Sequence, residues 1–305
     1  MDEPPASVVV LTYNSRGYIV DCLESLRADS TPGKEILLVD NASKDGTVDL
    51  LRERYPDLPL IANAKNRGVA AGWNQGWRRS RAPFVAFVNP DMTFDSGWLE
   101  ALLAALQADP QAAVAGAKLL YPGGRIIQHA GAGLLDNGQS YHRGCGEIDR
   151  GQYDEPGPAE YVTGAAMLVR RDALEALGGF DEDYFPAYYE DSDFCVRVWR
   201  SGRKVLYVPS SRIIHYESVT LTIWSWRFVW LSLKMRSVFV GKHYGWRDML
   251  FRFLPRELGL LFRDPGFKVK VCAVGSYYAM LPPLWKRLLG KLKQRAPRRG
   301  RIASR

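Results

Sequence analysis

Four clusters of polar residues stand at the ends of short apolar runs, where they could bind a nucleotide. They are Thr12-Tyr13-Asn14, Asp40-Asn41-Ala42-Ser43, Asn66-Arg67-Gly68 and Asn89-Pro90-Asp91. The Tyr13 ring can stack on a base, and the Asp40 carboxylate can accept a hydrogen bond from a base imide N–H. Arg67, beside a predicted helix N-terminus, can face phosphate. The Asp91 carboxylate can bind Mg²⁺ or Mn²⁺, which are hard cations that prefer oxygen ligands.

Each cluster also has a purely structural interpretation. Asp and Asn at strand ends often cap the next helix or form a turn, and a single tyrosine such as Tyr13 more often packs than binds. The occurrence of four clusters at successive strand ends favours a binding site over four unrelated turns.

A further group of carboxylates, Glu190, Asp191 and Asp193, stands at the start of a predicted helix. One of them could act as a general base toward an acceptor hydroxyl, a role that contributes about 10²–10⁴-fold in rate. Alternatively, all three favour the helix N-terminus through its dipole. Asp193 fits this structural role, because Arg197 follows at i+4 and can pair with it. The residues alone leave Asp191 open between the two roles, and Glu190 could orient an acceptor.

The residues between these clusters predict the elements that position them. Apolar, β-branched runs predict strands over Val8–Leu11, Glu35–Asp40, Leu58–Ala62, Phe84–Val88 and Val114–Leu120. Helical spacing alternates with them over Ile19–Ala28, Thr47–Arg54, Val69–Ser80 and Ser96–Ala108. Wholly apolar strands are typical of a parallel sheet covered on both faces. The βαβα order predicts an α/β fold with an open, mostly parallel sheet, whose ligands bind beyond the carboxyl ends of its strands.

The regular pattern is interrupted and then resumes. Residues Tyr121–Ala159 contain nine glycines and predict loops with an irregular hairpin. After them we predict strands at Tyr161–Val169 and Lys204–Val208 and helices at Asp172–Leu177 and Asp191–Ser201. His215 follows just beyond the last predicted strand.

Taken together, these residues resemble the family 2 glycosyltransferases of the GT-A fold. Six motifs over residues 6–218 carry the resemblance, in the order and spacing of the family: Val8–Asn14, Leu38–Ser43, Asn66–Gly68 with Gly72 and Asn74, Phe87–Asp91, Gly179–Glu182, and Tyr189–Arg197. Within the family, the sequence is most similar to bacterial rhamnosyltransferase-type enzymes of cell-surface polysaccharide synthesis. The resemblance implies inverting transfer of a sugar such as rhamnose from a dTDP- or UDP-linked donor to a glycan or lipid-linked acceptor.

The resemblance also implies a role for each matching residue. The nucleotide site of the family matches Thr12, Tyr13, Asn14, Asp40, Asn66, Arg67 and Gly68. We include Asn74 and Asn89 in the same expected site. The catalytic base falls on Asp191, next to Glu190. The metal-binding Asp-x-Asp motif falls on Asn89-Pro90-Asp91, where asparagine replaces the first acid, so Asp91 is the carried-over ligand of a divalent Mg²⁺ or Mn²⁺. Some GT-A enzymes place a histidine on the metal or diphosphate at the position of His215.

Composition excludes several other classes. Of 305 residues, 47% are hydrophobic and 24% are charged, which argues against a disordered chain, a coiled coil and a polytopic membrane protein. Four widely separated cysteines without a CxxC pattern predict neither a disulfide framework nor a zinc site, and fit a reducing compartment. The first residues lack the basic and apolar regions of a secretory signal. We therefore expect a cytoplasmic protein.

Charge divides the chain into an acidic body and a basic tail. Residues 221–305 carry 19 basic and 3 acidic side chains, a net of +16, whereas residues 1–220 carry 22 and 30, a net of −8. The acidic body argues against nucleic-acid binding. The tail is rich in tryptophan, and its longest uncharged run, Val271–Trp285, is shorter than the about 20 residues needed to span a bilayer. We therefore expect the tail to attach the protein peripherally to the inner, anionic membrane face. Packing against the catalytic body and contact within a homo-oligomer are the alternatives.

These observations predict a GT-A catalytic domain at residues 1–220 and a helical, basic, aromatic-rich extension at residues 221–305. Two other functions stay open. A sugar nucleotidyltransferase would be expected to carry a Gly-rich basic loop after the first strand, where this chain has Leu11–Ser15. A catalytically degenerate, membrane-attached nucleotide-sugar binding protein is suggested by Asn89 in place of an acid.

Overall fold

The computed structural model describes residues 3–216, 225–262 and 266–286. The chain divides into two compact units. The first comprises Met1–Leu135 and Ser140–Ser225, and the second comprises Asp136–Gln139 and Trp226–Arg305. The predicted domain boundary between residues 220 and 221 lies outside the described residues and stays a prediction.

The first unit contains twelve described strands and six helices. The strands are β1 (Ser7–Thr12), β2 (Glu35–Asp40), β3 (Leu60–Ala62), β4 (Phe84–Val88), β5 (Met92–Phe94), β6 (Ala112–Leu120), β7 (Ile127–His129), β8 (Ala132–Leu134), β9 (Ser140–His142), β10 (Gly157–Pro158), β11 (Ala166–Arg170) and β12 (Lys204–His215). The helices are α1 (Ile19–Ala28), α2 (Thr47–Arg54), α3 (Val69–Arg79), α4 (Trp98–Ala108), α5 (Arg171–Leu177) and α6 (Glu190–Arg200).

Most of these strands form one mixed sheet in the order β10-β12-β6-β11-β4-β1-β2-β3. The β4-β1-β2-β3 half is parallel, as is the β6–β12 pair. Strand β11 runs antiparallel between β4 and β6. Because β11 is reversed, its amino end lies on the same edge of the sheet as the carboxyl ends of β1, β2, β4, β6 and β12.

The interior strands are buried on both faces, which explains their uninterrupted apolar runs. Val8 and Val10 of β1 belong to a core cluster with residues of α1 and α4, while Val9 packs with residues of α3 and α6 on the other face. Helix α3 approaches β1 so closely that a Cβ atom added at Gly72 would lie 2.4 Å from the Leu11 side chain. This close approach brings the N-terminus of α3 to the carboxyl edge of the sheet.

The structure differs from the sequence predictions at four strands. The final strand continues past Val208, through an irregularity, to His215, because β5 pairs antiparallel with its last three residues. Strand β5 itself was not predicted, since Met92–Phe94 is too short to signal a strand without its partner. The strand predicted from Tyr161 begins at Ala166, and the one predicted from Leu58 begins at Leu60.

The second unit is helical over its described residues. It contains α7 (Trp226–His243), α8 (Trp246–Asp248), a π-helical turn at Met249–Phe253, α9 (Leu254–Phe262), α10 (Phe267–Ser276) and a 3₁₀ turn at Tyr277–Met280. At its centre the Arg236 guanidinium lies 2.6 Å from the Glu257 carboxylate, and both side chains are almost fully buried. Among the described residues, no helix is both long enough and apolar enough to cross a bilayer.

Candidate active site

The loops after β1 and β2 are joined by reciprocal hydrogen bonds. The Asn14 amide N–H donates to Ser43 Oγ at 2.8 Å, and Asn14 Oδ1 accepts from the Lys44 N–H at 2.8 Å. The Asp40 carboxylate is fully buried and accepts from the Ser43 N–H at 2.9 Å and from its hydroxyl at 2.5 Å. Asp40 therefore fixes the turn that carries Ser43 and, through it, the position of Asn14.

Asn41 connects three of the predicted clusters, although the sequence assigned it no role. Its N–H donates to the Thr12 carbonyl at 2.9 Å, and its Nδ2 donates to the Gly68 carbonyl at 3.0 Å. Its Oδ1 accepts from Asn63 at 3.1 Å. These contacts join residues up to 29 positions apart, so sequence alone could not indicate them. The one sequence signal for a role of Asn41 is its place inside the Asp40–Ser43 motif.

The turn at residues 66–68 is shaped by glycine and by a distant loop. Asn66 Oδ1 accepts from the Gly68 N–H at 2.8 Å, and Gly68 has a φ of 82°. A Cβ there would lie 2.9 Å from the Phe185 ring and 3.0 Å from the Pro186 carbonyl. The Val69 N–H, at the start of α3, donates to that same carbonyl at 2.8 Å. The loop before α6 is thus packed directly on this turn.

The predicted nucleotide residues differ in their exposure. Asn14 and Arg67 are exposed, and Tyr13, Asn66 and Asn89 are half-buried. Thr12 is fully buried, and its hydroxyl has no hydrogen-bond partner in the part of the chain that the structure describes. The exposed and half-buried members are accessible to a ligand at the carboxyl edge of the sheet.

Asn74, which the resemblance adds to the nucleotide site, makes hydrogen bonds that connect elements of the protein. Its Oδ1 accepts from the Phe180 N–H at 2.9 Å and from the Trp77 indole at 3.0 Å. Its Nδ2 donates to the Phe180 carbonyl at 2.8 Å and to Glu182 at 3.0 Å. With the side chain buried and its hydrogen-bonding capacity used within the protein, Asn74 holds α3 to the Gly179–Glu182 segment.

Asp91 and His215, the two predicted metal ligands, are brought together by the β5–β12 pair. His215 Nε2 lies 3.4 Å from Asp91 Oδ1, and both residues are nearly buried. On the other side of the ring, Nδ1 lies 2.6 Å from Gln128 Oε1. Donation from Nδ1 to this amide oxygen would leave Nε2, on the side of Asp91, available as a ligand atom. Gln128 belongs to β7 and could not be connected with His215 from sequence.

These two side chains fit a small divalent cation as part of its ligand set. Two ligand atoms that each lie about 2.1 Å from the same metal ion are themselves about 3–3.4 Å apart. His215 Nε2 and Asp91 Oδ1 are 3.4 Å apart, so they could bind one ion together. A carboxylate with an imidazole oriented by an amide is a common combination around metals. Over the described residues, no group of three or more His, Cys, Asp or Glu side chains could hold a metal ion. Water and a bound diphosphate are candidates for the further ligands.

Asp191, the predicted base, is held at the same edge by backbone donors. Its Oδ2 accepts from the Gly164 N–H at 2.8 Å, and its Oδ1 accepts from the Ser192 N–H at 2.6 Å. The carbonyl of Ala165, the residue after Gly164, accepts a hydrogen bond from the Asn89 N–H at 2.9 Å. The Asp191 carboxylate therefore lies beside the Asn89–Asp91 segment. Gly164 has no room for a side chain, because a Cβ would lie 2.2 Å from the Trp73 ring.

The two neighbouring acids have different environments. Glu190 is 6% exposed, and its Oε2 has no partner among the residues described. Burial, with a smaller contribution from the charge of Asp191, raises the pKa of Glu190 well above its usual value. Asp193 accepts from the Tyr184 hydroxyl at 3.1 Å and from Arg197 at 2.7 Å. The predicted i,i+4 pair is thus present, and Asp193 is structural.

Backbone strain is concentrated around the same loops. In the described chain, the non-glycine residues with positive φ are Asn14 (53°), Ala42 (66°), Tyr188 (79°) and Tyr189 (71°). The first two follow β1 and β2, and the last two directly precede Glu190. Left-handed conformations of non-glycine residues cost about 1–3 kcal/mol each and cluster at functional sites. Their distribution supports placing the active site between these loops.

The family model described as glycosyl transferase family 2 matches residues 7–178, more than half of the chain. The chain is a family 2 glycosyltransferase. An N-acetylglucosaminyl-diphospho-decaprenol L-rhamnosyltransferase of Mycobacterium tuberculosis is 30% identical over 235 residues, which cover 69% of this chain and 76% of the relative. The O-antigen biosynthesis protein RfbC of Myxococcus xanthus is 29% identical over 71% of this chain and 18% of its own length. These relatives confirm the predicted resemblance to rhamnosyltransferase-type enzymes.

Solved structures show the fold of this glycosyltransferase. The mannosyltransferase PcManGT of Pyrobaculum calidifontis, solved with GDP-Man and Mn²⁺, is 19% identical with a TM-score of 0.59, over 97% of this chain and 82% of that chain. GalNAc-T7, solved with UDP, GalNAc and Mn²⁺, is 14% identical with a TM-score of 0.65, over 97% of this chain and 58% of that chain. The predicted α/β architecture of GT-A type, with a helical C-terminal extension, is therefore confirmed.

Proposed function

We propose that this glycosyltransferase moves a sugar, with inversion, from a nucleoside-diphosphate sugar to a glycan or lipid-linked acceptor. The observation that carries the proposal is the juxtaposition at one sheet edge of Asp91 with His215 and of Asp191 beside Asn89. A cation-binding pair and a carboxylate base are the two groups that inverting transfer to a hydroxyl requires.

In the proposed reaction, the Asp191 carboxylate takes the proton of the acceptor hydroxyl. The acceptor oxygen forms a bond to the anomeric carbon while the bond from that carbon to the diphosphate oxygen breaks on the opposite face. The diphosphate leaves with the electron pair. A Mg²⁺ or Mn²⁺ ion held by Asp91 and His215 would neutralise charge on this leaving group. Burial raises the pKa of Glu190 above its usual value, and this buried carboxyl group next to Asp191 is the one proposed to orient the acceptor.

The proposed nucleotide site consists of the two loops that carry Asn14 and Ser43, together with the Asn66–Gly68 turn. Tyr13 and Arg67 are accessible there for stacking on a base and for contact with phosphate. The dTDP- or UDP-linked donor is proposed from the resemblance to the family. The name of the mycobacterial relative states rhamnose transfer to a lipid diphosphate, which supports rhamnose as the sugar and a lipid-linked acceptor. Since such an acceptor is presented at a membrane, we place the enzyme peripherally on the inner face of the cytoplasmic membrane.

The proposal is tested by measuring binding of dTDP-, UDP- and GDP-sugars to the full chain, with and without Mn²⁺, and then donor turnover. We expect one dTDP- or UDP-sugar to bind with Mn²⁺ dependence and to be consumed slowly by water or rapidly with acceptor. An anomeric centre of inverted configuration, read by NMR, is the expected product. Mn²⁺-dependent binding without any turnover would support the degenerate binding protein instead, and retained configuration would contradict the assigned base.

A further inference from the structure

The segment from α8 to α9 presents an apolar row outward. Its members recur at every fourth residue and are between 43% and 85% exposed: Trp246, Leu250, Leu254, Leu258 and Phe262. We call them the outer row. A surface helix of an ordinary soluble protein places its apolar residues toward the core and its charges outward. This segment instead leaves the outer row exposed, while the charged Glu257 is buried.

The inward side of the same helix is firmly anchored. Glu257 is buried and accepts from Arg236 at 2.6 Å, from Tyr277 at 2.7 Å and from Asn137 at 3.0 Å. Phe253, one turn earlier, is also buried. Rotating the helix to bury the outer row would remove Glu257 from its cationic partner, so the outward orientation is specified by the packing.

The π-helical turn at Met249–Phe253 helps to keep the outer row aligned. In an α-helix one turn takes 3.6 residues, so a residue four positions further along is rotated about 40° past a full turn around the helix axis. A π-helical turn contains more residues than an α-helical turn, so within it a residue four positions further along has rotated by less than a full turn. This smaller rotation partly offsets the excess rotation of the outer row in α8 and α9.

A further apolar row lies on α10 and the turns that follow. Its members alternate in steps of four and three and are between 45% and 77% exposed: Phe267, Val271, Val274, Tyr278, Leu281 and Trp285. We call them the heptad row, because this spacing gives a straight apolar seam along a helix. Two separate helical segments of one unit thus leave apolar rows uncovered.

Cationic side chains accompany both rows. Arg247 lies over the Trp246 ring at 5.3 Å, and Lys268 lies over the Trp226 ring at 5.4 Å. The described residues of the second unit contain 10 Lys and Arg against 3 Asp and Glu, a net of +7. Of the three acids, Glu257 is engaged with Arg236, while Asp136 and Asp248 both lie beside Arg252.

These charges decide between two occupants of the rows. Parallel pairing of the heptad row with a second copy would place Lys268 and Lys270, which flank the seam, against the same lysines of that copy. An anionic bilayer surface complements them, and amphipathic helices with aromatic and aliphatic residues on one side and Lys or Arg on the other lie about 5–10 Å deep in the bilayer interface. We propose that the outer row and the heptad row insert into the interface of an anionic lipid bilayer. This deepens the peripheral placement proposed above and rests on it.

The test is co-sedimentation of the full chain with vesicles of phosphatidylcholine alone or mixed with phosphatidylglycerol. We expect binding to the anionic vesicles to fall at least about tenfold in the variants Leu250→Asp/Leu258→Asp and Val274→Asp/Leu281→Asp. The matched control Ile148→Asp replaces an aliphatic side chain of the first unit that is 56% exposed, and we expect it to bind as the unchanged chain does. Circular dichroism and binding of the nucleotide donor verify that each variant is folded.

Three results would overturn the proposal. They are no binding of the unchanged chain, equal loss in Ile148→Asp, and a dimer in sedimentation velocity that the row variants dissociate, which would identify a second copy as the occupant. Donor turnover by water, measured without vesicles, does not involve either row. Its presence with failed vesicle binding would reject the membrane surface alone, whereas its absence would count against the proposed catalytic function.

Discussion

At the scale of single residues, three carboxylates of the site differ in what surrounds them. Asp91 faces an imidazole, Asp191 accepts from two backbone N–H groups, and Glu190 is buried with one oxygen lacking a partner among the described residues. Environment assigns different tasks to identical groups in many enzymes. We therefore assign cation binding to Asp91, proton abstraction to Asp191 and acceptor orientation to Glu190, and each assignment can be tested separately.

Replacing Asp191 by Asn tests the proposed base. The change keeps the size of the side chain and one acceptor for the backbone donors, but it removes the proton-accepting carboxylate. We expect sugar transfer to fall by at least about 10²-fold, while donor affinity stays within about twofold. Transfer rates and calorimetric donor binding are the measurements. Transfer at the unchanged rate would reassign the base, with Glu190 as the next candidate.

Replacing Asp91 by Ala tests the cation pair. We expect Mn²⁺ to lose its effect on nucleotide-diphosphate affinity, because the carboxylate ligand is gone, while metal-free affinity and the thermal midpoint change little. Gln128→Leu leaves both ligands in place but removes the partner of His215 Nδ1. It should weaken apparent Mn²⁺ affinity by about 10–100-fold, as loss of such partners usually does. Unaltered Mn²⁺ dependence in Asp91→Ala would exclude this site.

Replacing Glu190 by Gln tests the effect of its raised pKa on stability. The folded state holds the Glu190 proton more tightly than the unfolded state does, so the stabilisation is complete below the unfolded pKa of about 4.3 and is lost as pH rises through the folded pKa. We expect the unfolding free energy of the unchanged protein to decline as pH rises from the unfolded pKa of Glu190 toward its raised folded pKa, and Glu190→Gln to decline less. The exposed Glu175→Gln should behave as the unchanged protein, and parallel curves for all three would contradict the argument.

At the scale of elements, contacts between distant segments position the site. Trp73 of α3 lies against Gly164, Gly164 donates to Asp191 of α6, and Phe87 of β4 and Phe180 pack on the Trp73 ring. The strands β1, β2 and β4 and the helices α1, α2, α3 and α4 could be predicted, because their apolar periodicity is local. The reversed β11, the short β5 and the role of Gln128 could not, because each depends on pairing between segments far apart in sequence.

Replacing Gly164 by Ala tests this arrangement. The added methyl would meet the Trp73 ring at 2.2 Å, and that ring is enclosed by aromatic side chains. The segment that holds Asp191 must therefore shift, and we expect transfer to fall by about 10²-fold, as misplacement of a catalytic group by about 1 Å can do. Trp73→Phe should restore part of the loss in the double variant. Gly157→Ala, where nothing lies within 4 Å of the added atom, is the control, and equal effects of the two alanines would contradict the role of Gly164.

At the scale of the whole molecule, sequence predicted an acidic catalytic body and a basic helical extension, but not which helix faces are buried. Leu250, Phe253, Leu254 and Leu258 follow helical spacing, which does not indicate which of them face inward. The structure buries Phe253 and exposes the other three, because the charged Glu257 must reach Arg236. The tail predicted to attach to the membrane also contains the basic run Lys286–Arg305, which lies outside the described residues after Lys286.

The buried Arg236–Glu257 pair gives a prediction for the second unit. Arg236→Met leaves the Glu257 carboxylate buried without its cation, a change that typically costs about 3–5 kcal/mol. We expect faster hydrogen exchange throughout the described helices of the second unit, while exchange in the sheet of the first unit and affinity for the nucleotide donor stay unchanged. Arg227→Met, an exposed arginine of the same helix α7, is the matched control and should leave exchange as it is. If Arg236→Met accelerated exchange in β1 and β4 to the same extent, the two units would unfold as one, and the extension would have to be counted as part of the catalytic fold.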